Sequence, residues 1–335
     1  MAGMNRVKCS DQDYIQFLLA AQHVFSSVEA AATHPAGEGV VAHDAYTRLL
    51  QRLPPDSNEL WVEVEGCIER ERGMLIIDDS TLDKPYARHM ALVSNHWSGK
   101  HHRVVRGINL MSLVWTDDGQ SSLPMDYRLY NKAIDGLDKN DHFRAMMDRA
   151  HQRGFSPSLV AFDGWYSSLD NLKQLRGYGW EWFTRLKSNR KVSEIPGQTL
   201  SIAAVDIPPT GCVLHLTGYG LVKVFRTVDI HGNAEYWATS RLTMTELERK
   251  TAAQNAWAIE TYHRNLKQFT GVERAQFRLE LSQRNHIGLA IRAFLRLEYQ
   301  RVHLLVPFHD AKQAIIRHAI RLYLLNPSIR LPATA

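Results

Sequence analysis

The stretch Met74-Leu75-Ile76-Ile77-Asp78-Asp79 decides the fold, because four apolar residues in a row end in two acids. A short apolar run of this kind predicts a buried β-strand. The pattern returns in Leu159-Val160-Ala161-Phe162-Asp163, where another apolar run ends in an acid. The sequence therefore predicts a sheet in which two buried strands carry carboxylates at their ends.

A third acid lies in Trp257-Ala258-Ile259-Glu260-Thr261-Tyr262-His263-Arg264-Asn265-Leu266-Lys267, which has the pattern of a helix. Glu260, Arg264 and Lys267 are spaced i, i+4 and i+7, so one helix face carries an acid among bases. With the strand-end aspartates, this face suggests a phosphoryl-transfer site with two metal ions, since Mg²⁺ prefers oxygen ligands. The alternative for any one of these acids is structural: a strand-end aspartate caps a loop, and Glu260 pairs with Arg264.

Composition and charge point to a soluble protein with an acidic partner. The chain has 335 residues, of which 44% are hydrophobic and 22% charged, and a net charge of +5. Residues 261–335 carry twelve Lys and Arg against four acids, whereas residues 1–70 carry five bases and ten acids. A basic C-terminal part is expected of a nucleic-acid-binding protein, although solvated helix faces also collect arginine.

Several classes of protein are disfavoured by what the sequence lacks. Its three cysteines are far apart, which argues against a disulfide framework. No apolar run is long enough for a membrane span, and neither an HExxH motif nor a Walker loop is present. We expect a cytoplasmic protein that uses no nucleotide cofactor.

The apolar pattern divides the chain into five parts. Residues 1–70 have the pattern of three short helices, which suit either a helix-turn-helix DNA-binding head or a plain helical packing domain. Residues 71–187 mix strands and helices, and residues 188–242 return to a β pattern with turn signals. Thr243 and Glu246 have capping-box spacing for a long helix within residues 243–300, and residues 301–335 form a basic helical segment.

The order of the three acids predicts the fold class. An acid on the first strand, a second on a later strand and a glutamate on a following helix is the layout of a ribonuclease-H-like fold. We therefore expect an α/β protein with a ribonuclease-H-like mixed sheet, an inserted β subdomain, a helical N-terminal domain and a helical C-terminus. Residues 71–187 are the first part of its catalytic domain, and the helix within residues 243–300 completes the core.

Five motifs resemble those of the bacterial DDE insertion-sequence transposases and occur in that family's order. They are Ile77-Asp78-Asp79-Ser80-Thr81, Phe162-Asp163-Gly164-Trp165-Tyr166-Ser167-Ser168, Phe183-Thr184-Arg185-Leu186-Lys187-Ser188-Asn189, Tyr236-Trp237-Ala238-Thr239-Ser240 and Trp257-Ala258-Ile259-Glu260. The chain is most similar to the subgroup that has a β insertion before the glutamate and a Tyr-Arg-Glu-Lys signature around it.

The resemblance implies Asp79, Asp163 and Glu260 as catalytic residues and as ligands of two Mg²⁺ ions, with Mn²⁺ as a substitute. Asp79 is preferred to Asp78 because the family's acid directly precedes a Ser/Thr-rich turn. Only one of the two adjacent residues faces the site, because side chains alternate along a strand.

The signature around the glutamate is only partly present. Lys267 matches the signature lysine, whereas Ala253 and Ala256 stand at the tyrosine and arginine positions, which the family associates with gripping the DNA end. Arg264, His263 or the nearby pair Arg249 and Lys250 are hypothetical substitutes. We expect Lys267, Arg264 and His263 to contact DNA.

Further residues are candidates for DNA contact. Lys84, Arg185, Lys187 and Arg190 are candidates for phosphate binding, with solvated surface charge as the alternative for each. Trp165 or Tyr166 is a candidate for stacking on an unpaired base, with core packing as the alternative.

The resemblance implies a DNA transposase that cleaves transposon ends and transfers the 3′-hydroxyl strand into target DNA. Its expected partners are the transposon-end and target DNA and a second copy of the chain in the DNA complex, which places it on the bacterial nucleoid during action. The alternatives are a metal-dependent nuclease of the same fold that does not join strands and a catalytically inactive DNA-binding descendant.

Overall fold

The computed structural model describes residues 9–35, 41–98, 103–195 and 197–329. The chain forms two compact units. The helical unit comprises Met1–Asp56, Tyr86–Ala91 and His263–Ala335, and the sheet unit comprises Ser57–Pro85 and Leu92–Tyr262.

The core of the sheet unit is built from five strands. These are β1 (Met74–Asp83), β3 (Arg103–Thr116), β4 (Leu123–Tyr130), β5 (Leu159–Phe162) and β6 (Trp182–Leu186), and a short strand β2 (Ser94–Ser98) extends the edge beside β3. β1, β3 and β4 form an antiparallel meander, and β5 and β6 follow β1 in parallel. The resulting order β4-β3-β1-β5-β6 is that of a ribonuclease-H-like sheet, as the sequence predicts.

Apolar burial explains why the central strands form where they do. Leu75 and Ile77 in β1 and Val160 in β5 have no exposed surface, and Ile76 and Ala161 have 2%. A strand that is buried on both faces shows a continuous apolar run rather than alternation. Each fully buried aliphatic side chain of this size contributes about 1.5–3 kcal/mol. Burial of these two strands therefore fixes the positions of Asp78 in β1 and of Asp163 directly after β5.

Four helices precede the first strand of this sheet or connect its strands. They are α4 (Asn58–Val64), α5 (Lys132–Asp135), α6 (Lys139–Gln152) and α7 (Leu169–Gly177). α6 begins at a capping box in which Asp138 and Asp141 bond each other's backbone N–H, and Ser168 caps α7. These caps let a helix start directly after a loop.

The inserted β subdomain extends the same sheet beyond β6. Its strands are β7 (Lys191–Ser193), β8 (Leu200–Ser201), β9 (Cys212–Leu216), β10 (Gly220–Val228) and β11 (Ala234–Thr239). β11 pairs with β6, so the insertion continues the core sheet in the order β6-β11-β10-β9-β7-β8.

The helix that carries Glu260 differs from the prediction in two respects. It is divided into α8 (Glu246–Ala256) and α9 (Ala258–Phe269), with Trp257 at the break. The capping box at its start uses Thr245 and Glu248, so the predicted box of Thr243 and Glu246 was wrong by two residues. The sequence has the same Thr-x-x-Glu spacing at both places, and periodicity alone does not choose between them.

The helical unit gathers segments from both ends of the chain. It contains α1 (Asp11–Ala20), α2 (Ser27–Ala32), α3 (Ala45–Arg52), α10 (Glu280–Leu304) and α11 (Phe308–Leu325). Polar side chains inside it satisfy helix ends: Asn285 donates to the backbone oxygens of Leu50 and Leu53 at 2.8 and 2.7 Å. α1 packs on α10 and α11, α3 packs on α10, and α2 packs on α3, so these three helices belong to a larger helical unit, whereas α4 lies in the sheet unit.

Candidate active site

Asp78 lies in the middle of β1, and the charges of three other acids act on its carboxyl. Burial raises the pKa of its carboxyl well above the ordinary value, and the charges of Asp79, Asp163 and Glu260 raise it further. The backbone N–H of Asp79 works in the opposite direction. Asp163 and Glu260 are therefore close enough to Asp78 to act on its ionisation, and negative charge is concentrated at this point of the sheet.

Asp79 faces the other side of β1, as expected for the next residue of a strand. Its carboxylate accepts hydrogen bonds from the Lys139 ammonium at 2.8 Å, the Tyr166 hydroxyl at 2.6 Å and the Asn109 amide at 2.6 Å. Burial works against ionisation, but Lys139, Tyr166 and Asn109 outweigh it and lower the pKa of Asp79. Asp79 is thus an ionised carboxylate whose oxygens are already bound by three protein donors.

The three donors around Asp79 were not predicted as a group. Lys139 lies in the first turn of α6, Asn109 lies in β3, and Tyr166 lies in the 3₁₀ turn Gly164–Tyr166. Lys139 is sixty positions from Asp79 in sequence, so no local sequence motif predicts their contact. The motif that contains Tyr166 was recognised, but its alternation with exposed Trp165 is visible only in the structure: Tyr166 has no exposed surface and Trp165 is 60% exposed.

Asp163 follows β5 and begins the turn that contains Trp165. Its carboxylate accepts a hydrogen bond from the N–H of Gly164 at 2.6 Å and lies 3.4 Å from a guanidinium nitrogen of Arg185 on β6. Glycine is required next to it, because a Cβ at position 164 would come within 2.7 Å of the backbone oxygen of Arg185. The close approach of this turn to β6 holds Asp163 beside Arg185.

Glu260 is exposed in the first turn of α9. Its position on this helix agrees with the prediction, and its charge is among those that act on Asp78. The division between the two units falls after Tyr262, so Arg264 and Lys267 lie on the part of α9 that belongs to the helical unit. Arg264 is exposed, Lys267 lies 3.4 Å from Glu273, and His263 is buried.

The remaining residues predicted to contact phosphate have different environments. Lys187 is exposed, and its ammonium lies 5.5 Å from the centre of the Trp165 ring. Arg190 is partly buried, and burial lowers the pKa of its guanidinium. Lys84 is only 5% exposed. Among these, Lys187 is the cation that the structure places next to the turn of Asp163.

The chemistry of the acids fits a divalent metal ion. Asp78, Asp163 and Glu260 are all carboxylates, which are the oxygen ligands that Mg²⁺ prefers. A cation bound among them would relieve the repulsion that raises the pKa of Asp78. Within the parts of the chain that the structure describes, however, no three His, Cys, Asp or Glu side chains are grouped closely enough to hold a metal ion. The ligand set is chemically suitable but is not drawn together.

Comparison with protein families assigns the chain. The family model described as "DDE superfamily endonuclease" matches residues 9–200, more than half of the sequence. This chain belongs to the DDE superfamily endonucleases. A second model, described as "Archaeal putative transposase ISC1217", matches residues 139–303, which include Asp163 and Glu260. Enzymes of the DDE superfamily generally use divalent metal ions. The comparison with curated proteins finds no match.

Solved structures show the fold of this DDE superfamily member. The piggyBac transposase synaptic complex with hairpin DNA aligns with a TM-score of 0.50 and 12% identity, over 97% of this chain and 76% of piggyBac. The Mos1 strand transfer complex aligns with a TM-score of 0.20 and 13% identity, over 54% of this chain and 60% of Mos1, which is too weak to support an argument. The likeness to piggyBac confirms the predicted ribonuclease-H-like fold. Among the described helices, none is long and apolar enough to cross a membrane.

Proposed function

We propose that this DDE superfamily member is a transposase that cleaves DNA at transposon ends and joins the freed 3′-hydroxyl to target DNA. The observation that carries the proposal is the presence of Asp78, Asp163 and Glu260 on elements in the order of a ribonuclease-H-like fold, where Asp79, Asp163 and Glu260 all add negative charge at Asp78. Divalent metal ions, when bound there, would activate the attacking oxygen and stabilise the leaving oxygen. We propose Mg²⁺, with Mn²⁺ as a substitute.

Asp78, Asp163 and Glu260 are our proposed ligands. The sequence favours Asp79 over Asp78, but the contacts favour the reverse, because Asp79 is bound by Lys139, Tyr166 and Asn109. In this arrangement Asp78 is the carboxylate that shares its surroundings with the other two acids. Asp79 instead anchors α6 and the turn of Tyr166 to β1.

DNA contact is proposed for two groups of basic and aromatic residues. Lys187, Arg185 and Trp165 surround the turn of Asp163. Trp165 is 60% exposed and offers a flat surface to an unpaired base. Replacement of Trp165 by Ala is expected to weaken binding of an end DNA with an unpaired terminal base by about 1–3 kcal/mol. Equal loss with a fully paired end would contradict stacking on an unpaired base.

Arg264 and Lys267 remain predicted phosphate contacts on α9. A protein that joins two transposon ends needs a site at each end, so we propose a homodimer in the DNA complex. Sedimentation with and without end DNA measures this directly. A complex that contains one chain per pair of joined ends would contradict it.

The proposed reaction is tested with DNA that carries the sequences flanking this gene. Wild-type protein is compared with Glu260→Gln in Mg²⁺ and in Mn²⁺. The matched control is Asp170→Asn, which neutralises an exposed acid in the first turn of α7. We expect wild type and the control to cut at the ends and to transfer the cut strand into a plasmid, and Glu260→Gln to bind without cutting.

Other outcomes separate the alternatives. Cutting without strand transfer by wild type favours a metal-dependent nuclease. Binding without cutting by wild type in both metals favours a non-catalytic DNA-binding protein, in which Ala253 and Ala256 replace family residues that grip the DNA end. Equal cutting by Glu260→Gln and wild type would reject the proposed metal site.

A further inference from the structure

Arg185 is held between two acids in the sheet unit. One guanidinium nitrogen lies 3.4 Å from Asp163, and another lies 2.9 Å from Glu235 on β11. Asp163 is a proposed metal ligand, whereas Glu235 was not predicted as a site residue. A single arginine thus bridges the proposed metal site and an acid on the inserted β subdomain.

The bridge is supported by the neighbouring strand. Arg185 and Trp237 are direct partners across β6 and β11, and the guanidinium lies 5.4 Å from the centre of the Trp237 ring. The ring stacks on Phe183 at a centroid distance of 4.9 Å, and its N–H donates to Glu235 at 3.3 Å. The Trp237 ring therefore lies against the guanidinium of Arg185, and its N–H orients Glu235.

The distances between the guanidinium nitrogens and the carboxylate oxygens indicate which acid lies closer to Arg185. The contact with Glu235 is 2.9 Å, within normal hydrogen-bond length, and the contact with Asp163 is longer at 3.4 Å. Arginine stays charged in proteins, so it cannot release Asp163 by losing a proton and must move away instead. Glu235 offers a second partner that keeps the charge paired after such a movement.

We propose that Arg185 takes the place of the metal ion at Asp163 and moves wholly onto Glu235 when a divalent ion binds. Arg185 is then a positioning residue that competes with the metal, and Glu235 is its alternative partner. This accounts for the acids being chemically suited to a metal without being drawn together. The inference rests on the proposed function, because it requires metal binding at Asp163.

The test measures Mn²⁺ affinity of the full chain without DNA, by electron paramagnetic resonance of free Mn²⁺. Arg185→Met is expected to bind Mn²⁺ about threefold to fivefold more tightly, since a partly exposed ion pair is lost. Glu235→Gln is expected to bind it more weakly, because Arg185 then has Asp163 as its remaining partner. The control Arg226→Met removes the same charge from an exposed position on β10.

A double variant distinguishes competition from general electrostatics. If Glu235 acts through Arg185, Glu235→Gln has no effect on Mn²⁺ affinity once Arg185 is Met. The proposal would be overturned if Glu235→Gln lowered Mn²⁺ affinity equally in the wild-type and Arg185→Met backgrounds. It would also be overturned if Arg226→Met raised Mn²⁺ affinity as much as Arg185→Met does. Both outcomes would leave the metal site intact. Asp163→Asn reports on the site itself: wild-type affinity in that variant would reject the proposed function and this inference together.

Discussion

Asp78 in the sheet unit and Lys312 in the helical unit are both enclosed ionisable side chains, and burial shifts the pKa of each toward its neutral form. Their surroundings differ. The Lys312 ammonium donates to the backbone oxygens of Leu18, Leu19 and Ala21 at 3.0, 2.6 and 2.9 Å, which satisfies the end of α1. Asp78 instead has three acids among the charges that act on it most strongly.

The difference separates a structural charge from one that we propose to be functional. A buried charge with enough partners holds neighbouring elements together, and removing it leaves those partners unsatisfied. A buried charge among like charges destabilises the fold and is relieved by an opposite charge from outside. Asp79 belongs to the first kind although it adjoins Asp78, because Lys139, Tyr166 and Asn109 all donate to it.

The largest change in stability is expected for Asp79→Asn. This variant leaves the Lys139 ammonium without its carboxylate, and breaking such an enclosed pair costs about 3 kcal/mol. Urea unfolding of the variant measures the loss. Adding Lys139→Met should recover part of it, because the unpaired charge is then removed. If Asp79→Asn is as stable as wild type, Asp79 is not a structural charge like Lys312 and resembles Asp78 instead.

Lys312→Met is expected to lower the free energy of unfolding by about 2 kcal/mol. Three backbone oxygens at the end of α1 lose their donor, and the gain from removing a buried charge offsets only part of that cost. Arg321→Met serves as the control, since Arg321 is exposed on the same helix. Equal stability of the two variants would show that the Lys312 contacts do not hold α1 in place.

Ionisation of Lys312 should contribute to the pH dependence of the free energy of unfolding. Burial lowers the pKa of Lys312 from 10.5 to about 8. Between these values the unfolded chain binds the proton and the folded chain does not, so stability rises with pH over this interval. Subtracting the Lys312→Met profile from the wild-type profile should leave a rise of about 3 kcal/mol between pH 8 and 10.5. A flat difference would mean that Lys312 is not desolvated in solution.

Asp78→Asn should have the smallest effect on stability and the opposite sign. The folded pKa of Asp78 is raised, so the wild-type protein loses stability as pH rises above the ordinary value of 3.8 toward the folded pKa. Asparagine does not ionise, and the variant should therefore be more stable than wild type at neutral pH. Thermal melts at pH 4 and pH 7 measure this. A variant that is clearly less stable at pH 7 would show that Asp78 has structural partners.

The sheet core could be read from the sequence because its signals are local. β1 and β5 were predicted as buried strands, and β5 has its predicted bounds, Leu159–Phe162. Both predictions rest on apolar runs of four residues. The break at Trp257 was missed, because the helical pattern of residues 243–267 continues through it.

The contacts that decide the site are long-range and were not predictable. Asp79 meets Lys139 across sixty positions, and Arg185 meets Glu235 across fifty. Likewise, Lys312 reaches α1 over nearly three hundred residues. The alternation of side chains along a strand predicts that Asp78 and Asp79 face opposite sides of the sheet. It does not predict which of the two sides faces the other acids. The positions of α6 and α9 supply that information.

DNA cleavage by Asp78→Asn and Asp79→Asn, compared side by side in Mg²⁺, tests the central claim most directly. Both variants remove one charge from adjacent positions of β1, and each rate is taken at a temperature at which circular dichroism shows the variant folded. We predict that Asp78→Asn lowers the rate of end cleavage by about a thousandfold, as expected for loss of a metal ligand, and that Asp79→Asn retains most of it. Cleavage by Asp78→Asn at the wild-type rate, with none by Asp79→Asn, would contradict the account.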